Sequence, residues 1–245
     1  MSLEILFQDE HLIAVNKPAG LLVHRTELAK EEEDAVVQRL RDQTGQWVFP
    51  VHRLDRGTSG VLVMAFSPDI ARQLAAQFAE SQTRKTYHCL VRGFCDKSGV
   101  IDYPLAKLNE KKGRSRFKIV GTEKAAETSF LSLAQYQLPV PVSRYDNTRL
   151  SWLEVTPKQG RTHQIRRHFK HQLHPLVGDS RYGCRHINKV IKDIWSEDYR
   201  LMLHASKLEF THPATKEVKM LNAGFDKKIT TVLDRLSAYR YEAIC

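Results

Sequence analysis

An α+β fold is the class this chain predicts, and three observations carry it. Strand and helix signals are mixed along 245 residues without the regular βαβ alternation of a doubly wound sheet. Residues 61–66 are apolar at every position, the pattern of a buried strand. Other stretches are apolar on one helical face only, as at Ile70, Leu74 and Phe78.

The elements follow in order. Residues 3–7 and 12–15 read as short strands around a polar turn at Gln8, Asp9 and Glu10. Residues 16–20 break that pattern as a loop. Residues 31–44 read as a helix whose acidic start suits the helix dipole, with Gly45 as its stop. After the strand at 61–66, Ser67-Pro68-Asp69 opens a helix reaching about residue 81. Residues 85–91 read as a strand. Residues 102–121 are more polar and hold Lys107, Lys111, Lys112, Arg114, Arg116 and Lys118, either an RNA-facing loop or a solvated surface. Residues 150–155 resume a strand and 162–173 a helix, with Ile165, Phe169 and Leu173 on one face and Pro175 beyond its end. Residues 202–210 read as a strand and 227–238 as a last helix. No repeat or flexible linker interrupts the chain, so one domain over residues 1–245 is expected.

Charge narrows the class of partner. Lys and Arg number 38 against 28 Asp and Glu, a net charge of +10. A surface that basic favours nucleic acid or an anionic membrane. No apolar run approaches the ~20 residues that cross a bilayer, and acidic residues with Gln8 interrupt any secretory signal at the N-terminus. The cysteines Cys89, Cys95, Cys184 and Cys245 form no Cys-x-x-Cys pair, which argues against a zinc or redox motif and fits a reducing cytoplasm.

The most informative segment is HRLDRGTSG, residues 52–60. It sets Asp55 between Arg53 and Arg56. Nearby positive charge favours the carboxylate, so this acid is suited to act as a nucleophile or an electrostatic anchor and poorly suited to give up a proton. The flanking cations suit an anionic substrate. His52, Asp55 and Ser59 are also the residue types of a hydrolase triad, but they crowd within eight positions and lack a Gly-x-Ser-x-Gly elbow.

Two further segments carry candidate chemistry. In PKQGRTHQIRRH, residues 157–168, Arg161, Arg166 and Arg167 crowd the first turns of a helix. They could face an anion, Arg166 could pair with a carboxylate such as Asp55, or the helix could simply be solvated. In RKTYHCLVRG, residues 84–93, Tyr87 follows two cations. It could stack on a base, move a proton or pack on the sheet as a strand-favouring aromatic; the segment by itself favours packing. His163, His168, His171 and His174 sit among arginines and lysines without carboxylates or cysteines, a setting for phosphate or solvent rather than metal. Neither a Walker loop nor a dinucleotide-type glycine pattern is present.

Taken together these segments resemble the RluA-type pseudouridine synthases. Lys17-Pro18-Ala19-Gly20 is similar to that family's first motif, HRLDRGTSG to its catalytic motif, and Arg84-Lys85-x-Tyr87 and residues 157–166 to later ones. HPLVGDSRYG and LMLHASKLEFTHP continue the likeness, which runs from about residue 3 to 225. Within the family the chain looks most like the TruC branch, which modifies uridine 65 of certain tRNAs. Gln159 departs from the threonine common before Gly-Arg.

The resemblance implies a catalytic domain with a mixed, mainly antiparallel sheet flanked by helices, and no N-terminal RNA-binding domain ahead of it. It implies isomerisation of uridine to pseudouridine in tRNA, with ribosomal RNA as the alternative target and a non-catalytic RNA-binding protein as a more distant one. Asp55 would be the nucleophile, Tyr87 would stack on the uracil or take a proton, and Arg166 would hold Asp55. Arg53, Arg56, Lys17, Arg84, Lys85, Arg161, His163 and Arg167 would contact RNA. No cofactor and no metal are implied. A monomer in the cytoplasm is the default expectation.

Overall fold

The computed structural model describes residues 2–24, 34–109 and 118–242. The chain divides into two compact units, and each draws on two stretches of sequence. The first comprises Met1–Thr86 and His204–Gly224, the second Tyr87–Leu203 and Phe225–Cys245.

In the first unit the elements are β1 (Glu4–Gln8), β2 (Leu12–Lys17), α1 (Val36–Thr44), β3 (Phe49–Pro50), β4 (Ser59–Ala65), α2 (Pro68–Ala79), the start of β5 (Arg84–Arg92), most of β11 (Leu203–Thr211), and β12 (Val218–Asn222). β1 and β2 form an antiparallel hairpin. Asp9 shapes its turn, its Oδ1 accepting the His11 and Leu12 N–H groups at 2.8 and 2.7 Å. β2 runs antiparallel to one edge of β4, from Leu12 opposite Ala65 to Lys17 opposite Gly60. The other edge is shared by β3 at Ala65 and Met64 and by β11, which runs parallel to β4 at Ser59 and Gly60. Every residue of β4 is buried. That burial explains the unbroken apolar run, since a strand covered on both faces has no reason to alternate.

α2 closes one side of this unit. The Ser67 hydroxyl accepts the Ile70 N–H at 3.3 Å, and Pro68 occupies the first helical turn where its missing N–H costs nothing. Ile70 and Leu74 then pack among Leu12, Ala14, Val61, Val63 and Phe210. α1 starts later than the sequence suggests, at Val36, and the expected acidic start at residues 31–33 lies outside the described residues.

Gly60 has a reason to be glycine. A Cβ there would lie 2.1 Å from the Ala205 carbonyl oxygen, and φ is +115°. A side chain would both strain the backbone and force β4 from β11.

The second unit holds the rest of β5, then β6 (Ser98–Asp102), β7 (Leu105–Asn109), β8 (Lys118–Lys124), β9 (Glu127–Leu138), β10 (Thr148–Pro157), α3 (Gln164–His171), α4 (Arg185–Trp195) and α5 (Lys227–Ser237). Here β5, β10, β9 and β6 lie side by side, each antiparallel to the next, and β7 pairs with β8 separately. Period-two alternation sorts the side chains. Leu90, Leu150 and Trp152 face α4 and α5 through Ile187, Ile191, Ile229 and Val232. Cys89, Val91, Leu153 and Val155 face α3 through Ile165 and Phe169. This α+β arrangement, with mainly antiparallel strand pairs among the described residues and helices packed on them, is the class expected. Of the polar stretch at 102–121, Lys107 is exposed on β7, while Lys111, Lys112, Arg114 and Arg116 lie outside the described residues.

Candidate active site

In the first unit the HRLDRGTSG segment forms an irregular loop running into β4. Leu54 is buried, Arg53 and Arg56 are exposed, and Asp55 is half-buried between them. Leu54 thus pegs the loop to the core and leaves the carboxylate at its rim. The Thr58 N–H donates to the Asp55 carbonyl at 3.0 Å, closing a tight turn that begins at Asp55.

Residues 17–20 bracket that turn. The Gly20 N–H donates to the Arg56 carbonyl at 2.8 Å, and Arg56 Nε returns a bond to the Gly20 carbonyl at 2.9 Å. Lys17 is fully buried, and its Nζ donates to the carbonyls of Pro18 at 2.8 Å, Leu21 at 2.8 Å and Arg56 at 3.2 Å. The expectation that Lys17 contacts RNA is corrected by this geometry: an ammonium buried among carbonyls ties two loops together. Lys17→Met should therefore cost about 2–4 kcal/mol, since buried carbonyls lose their charged donor. It should leave the salt dependence of RNA binding unchanged. A salt slope shallower by about one unit would instead reinstate a phosphate contact.

His52 and Ser59 are both engaged elsewhere. His52 Nε2 accepts the Val63 N–H at 3.0 Å, and its ring stacks on Phe78 with centroids 4.4 Å apart. Burial, with the nearby Lys85 charge, pushes its pKa down to about 3. The ring is neutral, and the nitrogen a general base would use is occupied. Ser59 lies 2.8 Å from Nδ1 of His204, whose Nε2 faces the Ala223 carbonyl at 3.2 Å. A carbonyl accepts only, so Nε2 carries the proton and Nδ1 receives the Ser59 hydroxyl. Both residues are buried, and the pair clasps β4 to β11. The hydrolase arrangement of His52, Asp55 and Ser59 is therefore not assembled. Arg84 is exposed at the start of β5, whereas Lys85 is buried, and burial draws its ammonium pKa down. That setting suits a close partner better than an open RNA backbone.

In the second unit the PKQGRTHQIRRH segment leads into α3. Arg166 is buried and forks onto Asp179, Nε to Oδ2 at 2.7 Å and Nη2 to Oδ1 at 2.9 Å. Asp179 Oδ1 also accepts the N–H groups of Arg181 and Tyr182 at 2.8 and 2.9 Å. Burial raises the Asp179 pKa, but the hydrogen bonds and charge of Arg166, with those two N–H groups, outweigh it and hold the carboxyl below 3.8. The Tyr182 hydroxyl lies 3.0 Å from His163 Nδ1, and the Arg166 guanidinium sits 5.1 Å over the Tyr182 ring. Asp179 and Tyr182 fall within the HPLVGDSRYG likeness, yet no sequence signal assigns them to Arg166.

The neighbouring cations are also tied into the unit. Arg161 Nε donates to the Ala125 carbonyl at 3.2 Å and Arg167 Nη1 to that of Ala106 at 3.0 Å. Gln159 Oε1 accepts the Glu127 N–H at 2.8 Å, and Gln164 Nε2 donates to the Glu127 carbonyl at 2.9 Å. The residue that departs from the usual threonine thus helps dock the loop on β9. Tyr87 is half-buried opposite Val155, packed against the cluster of Leu153 and Phe169, so its ring does rest on the sheet. Among the described residues no group of three or more His, Cys, Asp or Glu is placed to hold a metal ion, and no helix is long and apolar enough to cross a membrane.

The turn and the buried strand it leads into lie in a stretch that matches a family of known proteins. The model of that family, RNA pseudouridylate synthase, matches residues 11–171, and the chain belongs to it. It is 47% identical over 225 residues to the tRNA pseudouridine synthase C of Vibrio cholerae, covering 92% of each chain. It is 46% identical over 228 residues to the protein of that name from Pasteurella multocida, covering 93% of each. The solved structure of human RNA Pseudouridylate Synthase Domain Containing 4 has the same fold, with a TM-score of 0.71 at 24% identity over 96% of this chain and 93% of that one.

Proposed function

We propose that this protein converts uridine to pseudouridine in tRNA, at position 65, and that Asp55 is its nucleophile. The supporting observation is identity of nearly one half, along nine-tenths of the chain, to proteins named tRNA pseudouridine synthase C. The whole chain acts as one catalytic domain, a reading supported by the family match, which runs unbroken across the point where β5 passes from one unit to the other.

The chemistry breaks the bond from ribose carbon 1′ to uracil nitrogen 1 and forms one to carbon 5. Carbon 5 loses a proton and nitrogen 1 gains one, so the conversion is redox-neutral. A base stacked in RNA must first leave its stack, at a cost of about a few kcal/mol. In this reading exposed Arg53 supports the displaced strand, and Tyr87 lies against the uracil and receives the carbon 5 proton. Arg166, which the sequence offers as a partner for Asp55, forks onto Asp179 within the second unit. Arg56, Arg84, Arg161, His163 and Arg167 supply positive charge toward phosphates. The protein acts as a monomer in the cytoplasm, where the buried thiols of Cys89 and Cys95 stay reduced.

Mapping pseudouridine in tRNA and ribosomal RNA from cells lacking the protein tests this reading. One tRNA position should lose its modification, and the purified protein should restore it. Loss confined to ribosomal RNA would replace the tRNA assignment with the second target class.

A further inference from the structure

The stretch PVPVSRYDNTRLSWLEV has no role in the chemistry above, yet it builds a polar cleft of about 480 Å³ in the second unit. Arg92, Arg144 and Arg149 line it together with the rings of Phe94 and Tyr145. Asp146 is the one carboxylate among the lining residues, so three cations face one anion. The Arg149 guanidinium lies 5.1 Å over the Phe94 ring, and that of Arg144 lies 5.3 Å over the Tyr145 ring.

The cleft is held in shape by backbone. Val142 and Tyr145 exchange N–H to carbonyl bonds of 2.8 and 3.0 Å, and Val142 is buried in the core beneath. The Thr148 hydroxyl donates to the Val140 carbonyl at 2.8 Å, and the Gly93 N–H to the Arg149 carbonyl at 2.7 Å. A surface loop so tied presents Arg144 and Tyr145 outward without the ordering cost a loose loop pays on binding. Tyr145 is 49% exposed.

We propose that this cleft is a second RNA-binding subsite, which takes a phosphate and an unpaired or terminal base of the substrate away from the reacting uridine. Guanidinium groups beside aromatic faces match the two features every nucleotide offers, an anionic backbone and a flat ring. The site lies at the opposite end of β5 from Tyr87, five residues or about 17 Å along the strand, too far to touch the base that Tyr87 would receive. Its role is substrate selection. The inference rests on the RNA reading above and adds a second point of contact to it.

The test uses the full chain, with tRNA from cells lacking the protein as probe. The variants are R144A, R149A, their double and Y145A, all at exposed positions. For the double variant KM should rise about tenfold with kcat unchanged, and the salt slope of RNA binding should become shallower by about two units, roughly one for each phosphate no longer neutralised. A photo-crosslinking residue at position 145 should join covalently to RNA. Unchanged KM, unchanged salt slope, or crosslinks to protein alone would overturn the proposal. Wild-type protein that forms no pseudouridine, while the arginine variants still weaken RNA binding and position 145 still crosslinks, would remove the proposed reaction and keep the cleft.

Discussion

Asp55→Asn should lower pseudouridine formation by roughly 10⁴-fold or more, the scale seen when a nucleophile is removed from a site whose other parts remain. The amide has the shape of the carboxylate but neither its charge nor its nucleophilicity. The surroundings favour a clean result. The turn is closed by the Asp55 carbonyl and the Thr58 N–H, the loop is pegged by Leu54, and Arg56 is bracketed by Gly20. These contacts are made by backbone groups and by the Leu54 and Arg56 side chains, and the amide leaves them in place. Tritium release from carbon 5 of labelled tRNA measures turnover, filter binding measures affinity, and thermal unfolding checks the fold. Release at the wild-type rate would falsify the nucleophile assignment. Loss of release together with loss of folding would point to a structural carboxylate.

The second large effect belongs to Asp179. Its side chain is fully buried and that of Arg166 is 10% exposed. Asp179→Ala leaves a buried guanidinium without its fork and two N–H groups without their acceptor. Breaking one partner of such a pair costs about 3–5 kcal/mol. The sign of the pH dependence follows from the lowered pKa. A carboxyl held below its unfolded value contributes stability above that value, and the contribution fades as pH falls through the folded pKa. Wild type and Asp179→Ala should thus differ most near pH 7 and converge as pH drops below 3.8. Urea midpoints across that range read the difference. A gap that stays constant with pH would mean that packing, rather than the ion pair, holds this corner of the unit.

Elements whose signal lies in neighbouring residues were readable, and those whose signal lies in distant partners were not. Buried β4 and the one-sided helices α2, α3 and α5 stood out because their burial pattern is written locally. β9 passed unread because its apolar residues are interleaved with Ser, Gln and Thr, and only pairing with β10 and β6 makes it a strand. α4 does place Ile187, Ile191 and Trp195 on one face, but Arg185 and His186 before them and Lys189 and Lys192 between them mask the pattern. The same division holds in the candidate site. The charge setting of Asp55 is visible within four residues. Lys17 looks like a loop cation until the Arg56 carbonyl, 39 residues on, is brought to it. Asp179 is an acid in a glycine-rich loop until α3 delivers Arg166.

The clasp between Ser59 and His204 joins residues 145 positions apart. On the ribosome, β4 emerges early, and the edge that later pairs with β11 waits until nearly five-sixths of the polypeptide has been made. Chains elongate at about 5–20 residues per second, so that edge is without its neighbour for some 7–30 seconds. In that interval the residues of the aspartate turn are synthesised, but the strand that pairs with β4 beside them is not. Completion of the strand pairing behind the aspartate loop is thereby tied to near-completion of synthesis, and a prematurely ended chain would carry the loop without that support.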